Sequence, residues 1–144
     1  MKFFNFKFIL TATLTYIPYT ALWFFWHNNL FHKLYYSVNS FYSINEQNIW
    51  LMNFANALLV YGFVYFYRRF VKPDTLSFKA ALWGVYYNLS VTGFYTFMLM
   101  GAFKEWNASI LIHDLIWAVL SGTISGLLAF HLNKYFGGNL KQIT

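Results

Sequence analysis

Asp114 is the residue whose type and position most invite chemistry. It lies in a long apolar run, LIHDLIWAVLSG, and a carboxylate there is costly unless it is paired, hydrogen-bonded or protonated. A carboxylate in such a setting can hold a proton or an ion, or it can accept hydrogen bonds that fix the order of helices. Its neighbour His113 points about 100° away around a helix. Counting residues inward from the same membrane face puts Asn53, Tyr95 and Thr96 at a similar depth, with Trp23, Trp26 and His27 close by. These side chains are candidates for one polar cluster, which either binds a proton, ion or ligand or pairs the helices.

The histidines raise a second possibility. His27, His32 and His113 are weak candidates for metal ligands, since imidazole with carboxylates such as Glu46 and Glu105 can hold zinc, copper or iron. A haem would need His27 and His113 to face one cavity. The step of five from His27 to His32 turns about 140°, so the two do not share a helical face. No metal or haem is therefore expected, and lipid is the expected non-protein contact. His131 reads as an ordinary interfacial residue. The chain has no cysteine, which removes disulfides, thiolate catalysis and Cys-ligated clusters. Nucleophile elbows, phosphate-binding loops and dinucleotide fingerprints are absent from the sequence, so an enzyme is not expected.

These side chains need elements to position them. Of the 144 residues 59% are apolar, 25% are aromatic and only 10% are charged. A soluble surface needs about 25% charged residues. Four apolar runs of membrane-crossing length are expected, at about 6–26, 49–67, 78–100 and 109–132. The first is too long for a signal-peptide core and is read as a retained helix, kinked at Pro18. Residues from about 27 to 47 form an amphipathic connection expected to lie on the membrane surface. Pro73-Asp74 marks a turn, and Gly137-Gly138 is expected to end the last helix.

Charge sets the orientation. Lys2, Lys7, Arg68, Arg69, Lys72, Lys79, Lys134 and Lys141 fall on one side of these spans, and only Lys33 and Lys104 on the other. The positive-inside rule then places both termini inside. The fold expected is an all-α, single-domain integral membrane bundle of four transmembrane helices, N-in and C-in, with an outer amphipathic connection. The net charge of +6 forms no tract, which argues against nucleic-acid binding.

Two small-residue stripes are expected to pair. Ala80, Gly84, Asn88, Thr92 and Thr96 recur at steps of four in the third run, and Asp114, Ala118, Gly122 and Gly126 in the fourth. Such stripes let helices approach closely in lipid. Ser121, Ser125 and Ala129 run beside the second stripe, and Trp117 is a further candidate for ligand binding or helix pairing.

The stretch from Ala81 to Gly122 resembles small bacterial four-helix inner-membrane proteins of unassigned function. Tyr87, Leu89, Trp106, Asp114 and Trp117 match their pattern; Asn88 stands where that pattern has Asp, and Ser90 where it has Thr. Ala21, Leu22, Trp23, Leu30, Phe31 and Lys33 loosely match a second such group. The resemblance implies four helices and a bacterial inner membrane, and it implies no activity; a mitochondrial inner membrane is the alternative location. The function expected is an accessory or structural subunit that meets other membrane subunits or itself. The alternative is a small transporter or binding protein for a proton, ion or lipophilic ligand, built around Asp114.

Overall fold

The computed structural model describes residues 5–37, 49–71, 76–104 and 106–136, and among these it is all-α with no strand. Five α-helices are present: α1 (Phe6–Phe25), α2 (His32–Ser37), α3 (Ile49–Phe70), α4 (Ser77–Ala102) and α5 (Ala108–Tyr135). A π-helical segment, Trp26–Leu30, extends α1. The four long helices, α1, α3, α4 and α5, coincide with the four apolar runs, and two stretches, Phe6–Leu30 and Ala108–Tyr135, are long and apolar enough to cross a membrane.

Local chemistry explains the helix limits. The Asn5 side chain caps α1 by accepting from the Phe8 N–H at 2.9 Å. Asn107 does the same for α5, accepting from the N–H groups of Ser109 and Ile110 at 2.9 and 3.3 Å. Helix α1 contains Pro18 and continues past it. The amphipathic connection is represented by most of the π-helical segment, Phe31 and α2; residues 38–47, with Glu46, lie outside the described residues. Also outside are Lys2, Lys72, Pro73-Asp74, Glu105, Gly137-Gly138 and Lys141.

The most extensive packing joins α4 to α5, which run antiparallel through a short connection. Helix α1 lies between α3 and α5, and α3 touches α4 and α5 only lightly. The packed helices have two ends. At the first, here the base, Phe8 and Ala12 of α1 meet Phe63, Val64 and Tyr67 of α3, Ala80 of α4 and Ala129 of α5. At the other, the cap, Tyr35 of α2 packs with Trp106 and Ile110. Tyr19, Val60 and Trp117 fill the middle.

Glycine dictates the α4–α5 seam. A Cβ at Gly84 would collide with the Gly122 carbonyl, and one at Gly126 with the Ala80 carbonyl. The two backbones therefore touch directly, which only small residues permit.

Candidate functional site

Asp114 lies near the cap end of α5, in its second turn, and is 6% exposed. Both carboxylate oxygens are engaged. The Tyr35 hydroxyl donates to Oδ1 at 2.6 Å, and the Thr96 hydroxyl donates to Oδ2 at 2.9 Å. Three elements thus meet at one carboxylate: α2 through Tyr35, α4 through Thr96 and α5 itself. Neither donor is a cation, so the hydrogen bonds are satisfied while the charge has no ion-pair partner among the described residues.

Aromatic rings wall this site. His27 stacks on Trp23 with ring centroids 4.8 Å apart, lies 4.7 Å from the Tyr35 ring, and meets Trp117 edge-on at 5.7 Å. Trp117 also packs on Tyr19 at 5.6 Å and Trp26 at 5.7 Å. Its part is to anchor α1 and the π-helical segment to α5. That segment widens the helix just where His27 turns inward; single π turns of this kind often mark functional positions.

The other candidates fall in separate places. His113 faces Phe31, with centroids 4.6 Å apart, and its Nδ1 contacts its own helix at the Ser109 carbonyl, 2.8 Å away. The His27 Nδ1 likewise contacts the Trp23 carbonyl at 2.9 Å. His32 lines an open surface hollow with Asn28, Asn29, Leu30 and Lys33. No three His, Asp or Glu side chains gather as a metal-ligand set among the described residues.

Asn88 and Thr96 both lie buried on the α4–α5 seam. The Asn88 Nδ2 donates to the Gly84 carbonyl at 3.1 Å, and the Ser121 hydroxyl approaches its Oδ1 at 3.5 Å. Thr92 is half-buried between them. Asn53 meets α1. Its Oδ1 accepts from the Tyr16 hydroxyl at 3.4 Å, so it joins α3 to α1. The Asp114 oxygens take the Tyr35 and Thr96 hydroxyls.

Sequence reasoning missed Tyr35, the shortest contact at the carboxylate. It also missed Thr13 and Tyr61, whose hydroxyls lie 2.7 Å apart between α1 and α3. The only signal for Tyr35 was its place in an aromatic-rich amphipathic stretch.

No protein-family model matches the chain, and neither a curated protein nor a solved structure is significantly similar to it.

Proposed function

We propose that the chain is a four-span integral membrane protein with both ends inside, acting as an accessory subunit of a larger membrane complex. The observation that carries this reading is the inverted distribution of side chains. Large apolar residues face outward on every long helix, among them Phe6, Trp50, Phe54, Tyr86, Phe94 and Ile112. Polar ones, including Thr11, Thr15, Asn88, Thr96, Asp114 and Ser121, face inward. Water would not tolerate so much exposed apolar surface, whereas lipid and partner helices would.

Helices α3 and α4 have 22 and 26 residues. At 1.5 Å per residue they reach about 33 and 39 Å, enough for a hydrocarbon core of roughly 30 Å. Tyrosines, tryptophans and asparagines lower their apolar character, yet many of these rings point outward, as interfacial anchors do. The base gathers the basic residues and becomes the inner face. The polar interior is largely spent on holding helices together, which leaves the aromatic surface as the feature available to partners. Gentle extraction from native membranes tests this. A particle well above the mass of the 17.1 kDa chain is expected, with defined companions; a lone monomer would refute it.

A second reading has one specific observation behind it: the Asp114 carboxylate is met by two hydroxyls and, among the described residues, by no ion-pair partner. Such a group can take up a proton, an ion or a cationic ligand. Asp114→Asn separates the readings. A loss of flux or binding with assembly intact favours transport; altered assembly alone favours the structural role.

A further inference from the structure

The base carries cations that helix packing leaves unused. Lys7 precedes buried Phe8 on α1, Arg68 and Arg69 follow buried Tyr67 on α3, and Lys79 precedes buried Ala80 on α4. Phe8, Tyr67 and Ala80 belong to one packed cluster, so these cations ring a single end of the molecule. Lys134 joins them in the last turn of α5. Asp114, at the cap, is the one acidic residue among the described residues, so no carboxylate in that set neutralises the base.

Arg68 differs from the rest. Lys7, Arg69, Lys79 and Lys134 are exposed, whereas Arg68 is half-buried. Its guanidinium sits over the Phe8 ring, 5.9 Å from the centroid. Its Nη1 is shielded from solvent and has no hydrogen-bond partner among the described residues. Burial disfavours its charge. A guanidinium nevertheless keeps its charge in proteins. A partly desolvated, unneutralised cation is costly, and an anion on its open side would relieve the cost. The planar fork suits a phosphate in particular. Exposed Phe6, Phe66 and Phe70 lie at the same end, the last two stacked 5.4 Å apart, and offer surface to acyl chains.

We propose that the base binds the phosphodiester of an anionic phospholipid, with Arg68 as the anchoring guanidinium and the exposed Lys7 as an outer contact. Phosphate chemistry alone would also admit free phosphate; the flanking phenylalanines favour the lipid. This inference rests on the membrane reading above.

The test uses the full chain in a neutral detergent, mixed with equal amounts of phosphatidylglycerol and phosphatidylcholine and examined by native mass spectrometry. Retention of phosphatidylglycerol over phosphatidylcholine is expected. Arg68→Gln should cut it roughly tenfold, the scale of one charge-assisted hydrogen-bond set. Arg68→Lys, which keeps the charge and guards against misfolding, should retain an intermediate amount, and Arg69→Gln nearly all. Excess inorganic phosphate should not displace the lipid. Equal retention of the two lipids, equal losses in Arg68→Gln and Arg69→Gln, or displacement by phosphate would each overturn the proposal. So would increased retention in Asp74→Asn, because Asp74 would then be the natural counter-charge of Arg68. Carbonate washing of membranes is scored in parallel. Wild-type protein that washes off refutes the membrane reading, whereas integrated protein with no lipid preference refutes only the site.

Discussion

Tyr35 donates its hydroxyl hydrogen to Asp114 Oδ1 across 2.6 Å, although 79 residues separate them in the chain. This contact fastens the short helix α2 to α5, and Thr96 fastens α4 to the other oxygen of the same carboxylate. One side chain thus fixes the cap end of three helices. The bond is buried on both sides, so its loss leaves an acceptor that water does not readily repair.

Tyr35→Phe tests that claim with little change of shape. Removing the hydroxyl should lower the unfolding free energy in mild detergent by about 1–3 kcal/mol, the cost of a buried polar atom left without its partner. Asp114→Asn should also destabilise. The double variant should lose less than the sum of the singles, because both remove one shared interaction. Strict additivity would mean that the two side chains are not coupled.

What the sequence revealed and what it hid follow from periodicity. The stripes through Ala80, Gly84 and Asn88 and through Gly122 and Gly126 are legible because a regular helix repeats its face about every four residues. They pair in the structure with Gly84 against Gly122 and Ala80 against Gly126. Thr96, bonded to Asp114, continues the same seam. Tyr35 was not legible, because it reaches Asp114 from a short helix beyond a π-helical segment, where no helical period connects them. The partner of Asn53, Tyr16, is hidden for another reason. Depth along a helix can be counted, but lateral order cannot, and α1 stands between α3 and α5. The metal-like histidines share that difficulty: His27 and His113 occupy the same end but pack against different rings.

Glycine substitutions should give opposite signs along α4. At Gly84 any Cβ meets the Gly122 backbone, which cannot move aside as a flexible side chain would. Gly84→Ala should therefore force the helices apart and cost about 1–3 kcal/mol, as overpacking does. At Gly101 a Cβ meets nothing within 4 Å. Gly101→Ala should be neutral or stabilising by up to about 1 kcal/mol, since alanine is the better helix former. Thermal unfolding of both variants in the same detergent checks the contrast. Equal behaviour would contradict the backbone-to-backbone seam.

The absence of cysteine makes topology directly measurable. Single-cysteine variants Lys33→Cys and Lys104→Cys at the cap, and Arg69→Cys and Lys134→Cys at the base, all replace exposed residues. A membrane-impermeant maleimide added to intact cells or sealed vesicles of native orientation should label the first pair. The second pair should react only after permeabilisation. Labelling of all four in sealed membranes would remove the spanning arrangement, and the reverse pattern would invert the orientation.

The α3–α4 contact is light, and one small site within it can be tuned. A Cβ on Gly62 would lie 2.6 Å from the Tyr87 hydroxyl oxygen, with the ring carbon behind it at 3.8 Å. The obstacle is the far end of a side chain rather than backbone, and Tyr87 also packs against Phe63 and Phe66 at 5.5 and 5.9 Å. Those rings restrict how far Tyr87 can swing away. Gly62→Ala should thus cost roughly 1 kcal/mol, less than Gly84→Ala, because a side chain yields more readily than a carbonyl. Tyr87→Phe removes the clashing oxygen and leaves the ring packing in place. Combined with Gly62→Ala it should restore stability to the wild-type level or above, since the helix propensity of alanine then acts without a steric penalty. Unfolding midpoints of the two single variants and the double variant decide it. A double variant no more stable than Gly62→Ala alone would show that the hydroxyl is not what the new methyl meets.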